Sequence, residues 1–197
     1  MEKLIPVGIS NRHVHLSQED LEKLFGEGHK LTHFKDLSQP GQYACEEKVD
    51  VTGPKGTIKG VRILGPVRKE TQVEISVADG FSLGIKAPIR DSGDLEGSPG
   101  VAIVGPKGEI ILNKGVIIAS RHIHMTEKDA EELNVKDKDV VNVLTEGIRR
   151  ILFYNVLIRV NKNYSMEMHV DIEEGNAAGL KNGDKVRIID QNLVVEA

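Results

Sequence analysis

The chain has 197 residues, 39% apolar and 28% charged, enough to bury a core as one larger domain or two small ones. A formal net charge of −4 argues against a general nucleic-acid or membrane binder, a single cysteine rules out an internal disulfide, and no apolar run approaches a membrane span. Aromatic residues are 4% and tryptophan is absent, so the core must be built from Val, Ile and Leu, which favour strands. The N-terminus, MEKLIPVGIS, lacks a signal-peptide apolar segment, and the expected location is the cytoplasm.

In chain order, the first element is the apolar stretch LIPVGI, followed by Arg12-His13-Val14-His15 with period-two alternation, the pattern of a strand. Ser17-x-x-Asp20 then resembles a capping box and predicts a short helix, Gln18 to Phe25. The polar stretch GEGHKLTHFKD reads as solvated, with His29 and His33 as loop residues. Strands are predicted at Lys48–Thr52, Thr57–Leu64 and Gln72–Val77, the first two joined by the turn Gly53-Pro54-Lys55-Gly56. The segment Arg90–Gly100 has no periodicity and reads as a loop whose glycines let backbone approach a ligand. Val101–Val104 and Glu109–Leu112 flank a second turn, Gly105-Pro106-Lys107-Gly108. The stretch GVIIA then leads into Arg121-His122-Ile123-His124, a second cap at Thr126-x-x-Asp129 and a helix from Glu127 to Leu133. Strands at Val140–Leu144, Leu152–Val160, Met166–Asp171 and Lys185–Ile189 complete the chain, with a turn at Asn182-Gly183. The segments starting at Asn134 and Gly179 share a pattern of turn, acidic residue and strand, and are read as equivalent hairpins of a barrel. Many short strands at this spacing predict barrels or sandwiches instead of a parallel α/β sheet.

SNRHVHLSQEDLEKL at 10–24 and ASRHIHMTEKDAEEL at 119–133 align without gaps at an offset of 109 (122 − 13). The arginine, both histidines, Asp20/Asp129, Glu22/Glu131 and Leu24/Leu133 are identical, so the chain carries an internal duplication. Residues i and i+2 of a strand share a face, and each histidine pair therefore makes half of a zinc or other transition-metal site. The third ligand stays open. His169, alternating with Met168 and Val170, and Glu74, alternating with Val73 and Ile75, are candidates, although an outward-facing strand residue is the plainer reading of Glu74 from pattern alone. Arg62 and Arg68 flank Gly65-Pro66, and Arg12 and Arg121 precede the histidine pairs; the guanidinium fork suits phosphate, while a solvated charge is the plainer reading of each. A Walker-type loop, a Gly-x-Ser-x-Gly elbow and a G-x-G-x-x-G turn are missing from the sequence, and Cys45 reads as a small buried residue, so no protein nucleophile suggests itself.

With R-H-[VI]-H repeated and Gly65-Pro66-Val67-Arg68 in view, the sequence resembles the PduL-type phosphotransacylases, the phosphate propanoyltransferases. The resemblance rests on S-N-R-H-V-H-L at 10–16, G-Q-Y-A-C-E-E-K-V at 41–49, I-L-G-P-V-R at 63–68, A-P-I-R-D-S-G-D-L at 87–95 and A-S-R-H-I-H-M at 119–125, and spans essentially the whole chain. It implies a mainly β fold of two β-barrel domains related by internal duplication and capped by short α-helices. Residues 1–11 plus 120–190 would form one barrel, and 12–119 the other, with a helical cap and an inserted interface segment at about 26–46. It implies an acyltransferase that interconverts acyl-CoA (propanoyl-CoA or acetyl-CoA) and phosphate with acyl phosphate and coenzyme A, in a setting such as propanediol degradation. It also implies two zinc ions per chain, one on His13, His15 and Glu74 and the other on His122, His124 and His169. Arg68 matches the phosphate-binding arginine. Ser10, Lys35, Arg62, Leu64, His169 and Asn176 match positions lining the coenzyme A site, and Ser92 falls beside the active site. Relatives destined for bacterial microcompartments carry an amphipathic extension before the first strand; few residues precede it here, which argues against encapsulation in a shell by that route. The expected partners are small-molecule substrates, with no nucleic acid and no membrane, and a homo-oligomer is left open. The competing readings are a zinc-dependent hydrolase on the same ligands and a non-catalytic metal-binding module.

Overall fold

Each His-x-His segment is extended because its neighbours alternate in hydropathy, and each ends where a Ser or Thr hydroxyl caps a helix. The computed structural model describes residues 3–189. In chain order the elements are β1 (Ile5–Ser10), β2 (His13–His15), α1 (Gln18–Phe25), β3 (His33–Asp36), β4 (Tyr43–Thr52), β5 (Thr57–Gly65), β6 (Gln72–Glu74), α2 (Val77–Leu83), β7 (Ile89–Arg90), β8 (Ala102–Val104) and β9 (Glu109–Ile111). They continue with β10 (Val116–Ala119), β11 (His122–Met125), α3 (Glu127–Leu133), β12 (Val140–Leu144), β13 (Leu152–Val160), β14 (Glu167–Asp171), α4 (Ile172–Ala178) and β15 (Lys185–Ile189). Residues 1, 2 and 190, at the outer ends of the barrel expected first, lie outside the described residues. None of the described helices is long and apolar enough to cross a membrane.

The mainly β fold expected from the sequence is present, and the chain divides into two units. One contains the segment through Ser10, Ser38–Pro40 and the segment from Ser120; its strands close a six-stranded barrel in the order β1-β14-β11-β13-β12-β15. Ile5, Val7, Ile123, Met125, Val143, Val156, Ile158, Met168 and Val186 fill it, all with no exposed surface. The other unit, Asn11–Leu37 and Gly41–Ala119, is a curled half-barrel sheet in the order β7-β10-β6-β2-β5-β4-β8-β9, with β3 paired to β4. Val14, Leu16, Leu24, Ile63, Val73, Ile103 and Val116 form its core, also fully buried. Burying one such side chain contributes about 1.5–3 kcal/mol.

Helices α1 and α3 begin and end where the capping pattern predicts, with Ser17 and Thr126 accepting from the backbone N–H groups of Asp20 and Asp129. Two helices were not anticipated. The strand expected at Gln72–Val77 ends at Glu74, because Ser76 and Asp79 form a reciprocal capping box that starts α2. Asp171 and Glu174 do the same for α4. The polar stretch after α1 holds one further strand, β3, and the loop expected from Arg90 begins one residue later, after β7. The segments beginning at Asn134 and Gly179 are not hairpins. Each starts at the left-handed C-cap of a helix, turns, and enters a strand, and the two strands, β12 and β15, pair antiparallel with each other (Val143 opposite Ile188). The two Gly-Pro-Lys-Gly turns also brace helix ends, Lys55 N donating to Leu83 O at 3.0 Å and Lys107 N to Leu24 O at 2.9 Å.

The structure exposes a second gapless register. Residues 72–84 (QVEISVADGFSLG) and 167–179 (EMHVDIEEGNAAG) are equivalent strand-cap-helix units at an offset of 95 (169 − 74), although only Gly80/Gly175 and Gly84/Gly179 are identical. Strand pairing repeats accordingly. β2 runs antiparallel to β6 with His13 opposite Glu74, and β11 runs antiparallel to β14 with His122 opposite His169. The strand preceding each histidine pair is exchanged: β1 joins the barrel beside β14 (Gly8 opposite His169), and β10 joins the half-barrel beside β6 (Ile117 opposite Glu74).

The two conserved-by-duplication helix glycines make unequal demands. A Cβ on Gly80 would sit 2.8 Å from the backbone oxygen of Ile85, whereas one on Gly175 would meet only the Ile9 side chain, at 3.0 Å. Gly80→Ala is therefore expected to destabilise by about 1–3 kcal/mol despite the helix propensity of alanine, and Gly175→Ala to stay within about 1 kcal/mol of the parent. Equilibrium denaturant unfolding of the two variants checks this ordering.

Candidate metal centres

In the half-barrel, period-two geometry turns His13 and His15 to one face of β2 while Val14 enters the core, and the antiparallel register sets Glu74 against them. His13 Nε2 lies 3.4 Å from Glu74 Oε2 and His15 Nε2 lies 4.0 Å from Glu74 Oε1. All three side chains are buried, and one ligand atom from each lies within 4.8 Å of the others. His13 Nδ1–H donates to the Asn11 carbonyl at 2.8 Å, which leaves Nε2 as the ring nitrogen that faces Glu74.

Electrostatic coupling ties the three side chains together. Burial works against a charged His13, but attraction and hydrogen bonding to Glu74 outweigh it and raise the imidazole pKa. Burial likewise opposes ionisation of Glu74, yet His13, His15 and Arg68 hold its carboxyl far below the usual range. His15 is pushed down to about 3 by burial and by the charges of His13 and Arg68. A neutral His15 and an ionised Glu74 are the forms that ligate a metal, and the proton shared between His13 and Glu74 is the one an ion would displace.

Arg68 is brought to this cluster by backbone pairing, its N–H donating to Leu16 O at 2.8 Å beside β2. Its guanidinium Nη1 donates to the Ser92 hydroxyl at 3.0 Å, and that hydroxyl donates to Glu74 Oε1 at 3.0 Å. Gln72 closes the network: its amide donates to Glu74 Oε1 at 2.6 Å and to Ser92 Oγ at 2.9 Å, and its oxygen accepts from Gly93 N at 2.8 Å. The glycine-rich loop, the arginine and the carboxylate thus form one hydrogen-bonded unit. Gln72 escaped the sequence reading; its signal is its position two residues from Glu74, on the same strand face.

In the barrel, His122, His124 and His169 form a cluster of three imidazoles, with ring centroids 4.6, 5.0 and 5.1 Å apart. His122 Nδ1–H donates to the Ser120 carbonyl at 2.7 Å, the counterpart of the His13–Asn11 bond at the 109-residue offset. Burial, then the charges of His122, His169 and Arg159, push His124 down to about 2. His15 Nδ1 and His124 Nδ1, again equivalent, are buried without a hydrogen-bond partner, so each ring carries a nitrogen that no protein group satisfies. Among the described residues, His13, His15 and Glu74 converge as the ligands of a transition-metal ion would, and the three imidazoles of the barrel offer donor atoms of the same kind.

The remaining predicted positions divide between the units. Arg62, half-buried on β5 and opposite His13, donates to the Cys45 carbonyl and lies over the Phe34 ring at 4.7 Å. Lys35 is exposed on β3 and Leu64 half-buried on β5. In the barrel unit, Ser10 ends β1, His169 sits on β14 and Asn176 is exposed on α4. Arg12 and Arg121 are structural. Arg12 grips Asp79 through Nε (2.9 Å) and Nη2 (2.8 Å), and Arg121 grips Glu174 at 2.6 Å. Each thus ties its histidine strand to the capping box of the helix following the expected third ligand. His29 is not a free loop residue, since its Nε2 lies 2.9 Å from the buried Glu47 and its ring stacks on Phe25. His33 is exposed and contacts Asp36.

The chain is similar to known proteins along most of its length. A family model described as phosphate propanoyltransferase matches residues 6–181. Among curated relatives carrying that same name, one from Thermotoga maritima is 62% identical over 187 residues, covering 94% of this chain and 89% of the relative. One from Clostridioides difficile is 56% identical (95% and 90% covered), and one from Rhodobacter capsulatus is 55% identical (94% and 86%).

The depressed His15 has a consequence for the metal-free protein. Its folded pKa, about 3, lies below the ordinary 6.5, so between these values the unfolded chain binds a proton that the folded chain refuses, and the stability tied to this group falls as pH drops below about 6.5. Chelator-treated protein should show a lower Tm at pH 5.0 than at pH 7.5, with a smaller decrease in His15→Gln. Equal decreases in the two proteins would contradict the assignment.

Proposed function

Because the chain belongs to the phosphate propanoyltransferase family and is an acyltransferase, we propose that it interconverts propanoyl-CoA or acetyl-CoA plus phosphate with acyl phosphate plus coenzyme A, by direct attack of phosphate and with two zinc ions bound. The observation that carries this reading is Arg68, a guanidinium fork joined through Ser92 to the carboxylate of a buried His-His-Glu cluster. A hydrolase needs only water at such a cluster, whereas a planar cation suits a phosphate dianion.

In the reaction, Arg68 binds phosphate, offsets part of its charge and orients one oxygen toward the thioester carbonyl carbon. The new oxygen–carbon bond forms, the carbon–sulfur bond breaks, and coenzyme A leaves as the thiolate; the reverse direction retraces these steps. Ser92, held by Gln72 and Glu74, fixes the guanidinium during transfer. His13, His15 and Glu74 would hold one zinc and His122, His124 and His169 the other, supplying Lewis acidity and a soft partner for thiolate sulfur. Ser10, Lys35, Arg62, Leu64, His169 and Asn176 are the residues proposed to meet coenzyme A. No protein nucleophile is required, in keeping with the buried Cys45, whose thiol is pushed up to about 11, first by burial. We place the reaction in the cytoplasm, with propanediol degradation as one setting.

The deciding assay measures thiol release from propanoyl-CoA or acetyl-CoA with and without phosphate and chelator. Release that needs phosphate and is lost with chelator is expected; phosphate-independent release would instead establish a hydrolase. Arg68→Ala should lower the phosphate-dependent rate by about 100-fold or more while bound metal is unchanged. Replacing both His122 and His124 should remove about one metal ion per chain by elemental analysis.

A further inference from the structure

Two residues before each proposed third ligand, on the same strand face, stand Gln72 and Glu167. They are equivalent at the 95-residue offset and lie opposite His15 and His124. Gln72 is 1% exposed, and both ends of its amide are engaged, the NH2 on Glu74 and Ser92 and the oxygen on Gly93 N. An amide is the right partner there. It donates to a carboxylate without adding charge, and a second carboxylate beside Glu74 would repel it.

Glu167 has the reverse chemistry in the same place. Its Oε2 lies 3.0 Å from His169 Nε2, off the line of a hydrogen bond, and accepts from the Ser38 hydroxyl. The neighbouring strand makes room for it: at Gly8 a Cβ would come within 2.8 Å of the Glu167 carboxyl carbon. A carboxylate 3.0 Å from a ring nitrogen that nothing else satisfies attracts the imidazole and restricts its orientation. The partner therefore differs in step with the ligand, amide behind carboxylate in one unit and carboxylate behind imidazole in the other. Core packing alone gives no reason for this exchange.

We propose that Gln72 and Glu167 are positioning residues for the two third ligands, each setting the orientation, and so the metal affinity, of its own centre. The proposal rests on the two-metal reading above. The test uses the full chain, stripped of metal and titrated with zinc against a chromophoric chelator. Gln72→Met keeps volume and removes the hydrogen bonds; Glu167→Met does the same in the barrel, and Glu167→Gln keeps shape and an acceptor oxygen. Each Met variant is expected to weaken one site by about 10–100-fold and leave the other unchanged, with Glu167→Gln falling between parent and Glu167→Met. The cobalt absorption spectrum should change at the affected site alone. Parent protein that binds fewer than two ions would overturn the two-metal reading itself. Two ions in the parent with affinities unchanged in the Met variants would overturn the positioning role and leave that reading standing. Should Gln72→Met fail to fold, Glu167→Gln, with its shape preserved, carries the same decision.

Discussion

The pairing of β2 with β6, which sets His13 opposite Glu74, is the constraint on which the half-barrel site depends. Because side chains alternate at every residue, one step of slippage would turn His13, His15 and Glu74 to the other face and send Val14 and Val73 out of the core. The fully buried Val14 and Val73 hold the register hydrophobically, and the same register delivers three polar side chains to one buried place. Isolated, those polar groups would be costly to bury. Together they compensate one another: attraction between His13 and Glu74 favours the charged form of each, and burial keeps His15 neutral.

Duplication accounts for the second histidine cluster and for the way the chain is threaded. Each copy of the histidine motif is entered by a strand that belongs to the other unit, β1 in the barrel and β10 in the half-barrel. Each copy is also tied by its arginine to the helix after the third-ligand strand, Arg12 to Asp79 and Arg121 to Glu174. These clamps explain why arginine precedes both histidine pairs without any need for it to touch substrate. Divergence is concentrated elsewhere. At the 95-residue offset Glu74 corresponds to His169, Gln72 corresponds to Glu167, and Arg62, opposite His13, is matched by Leu157, opposite His122. Arg68 and Ser92 are joined to the half-barrel cluster, consistent with a phosphate role for that centre.

Much of this was legible in the sequence where the determinants are local. The His-x-His pairs, their period-two approach and the caps at Ser17 and Thr126 are short-range features, and α1 and α3 lie where those features put them. Glu74 could not be chosen from pattern alone, because its flanks, Val73 and Ile75, favour an outward-facing residue; the deciding fact is a partner strand distant in sequence. Helix α2 was not anticipated, and its Gly80 is required by the Ile85 carbonyl packed against it. The register relating 72–84 to 167–179 was hidden because only its two glycines are identical. What persisted there is geometry: strand, cap, seven-residue helix and left-handed C-cap.

The central claim is that each duplicated frame completes a three-residue metal centre with a ligand from its antiparallel neighbour. Anomalous scattering at the zinc edge, from crystals of zinc-loaded protein, tests it most directly. The account predicts two peaks per chain, one within bonding distance of His13, His15 and Glu74 and one within bonding distance of His122, His124 and His169. A single peak, or peaks on other residues, would contradict it.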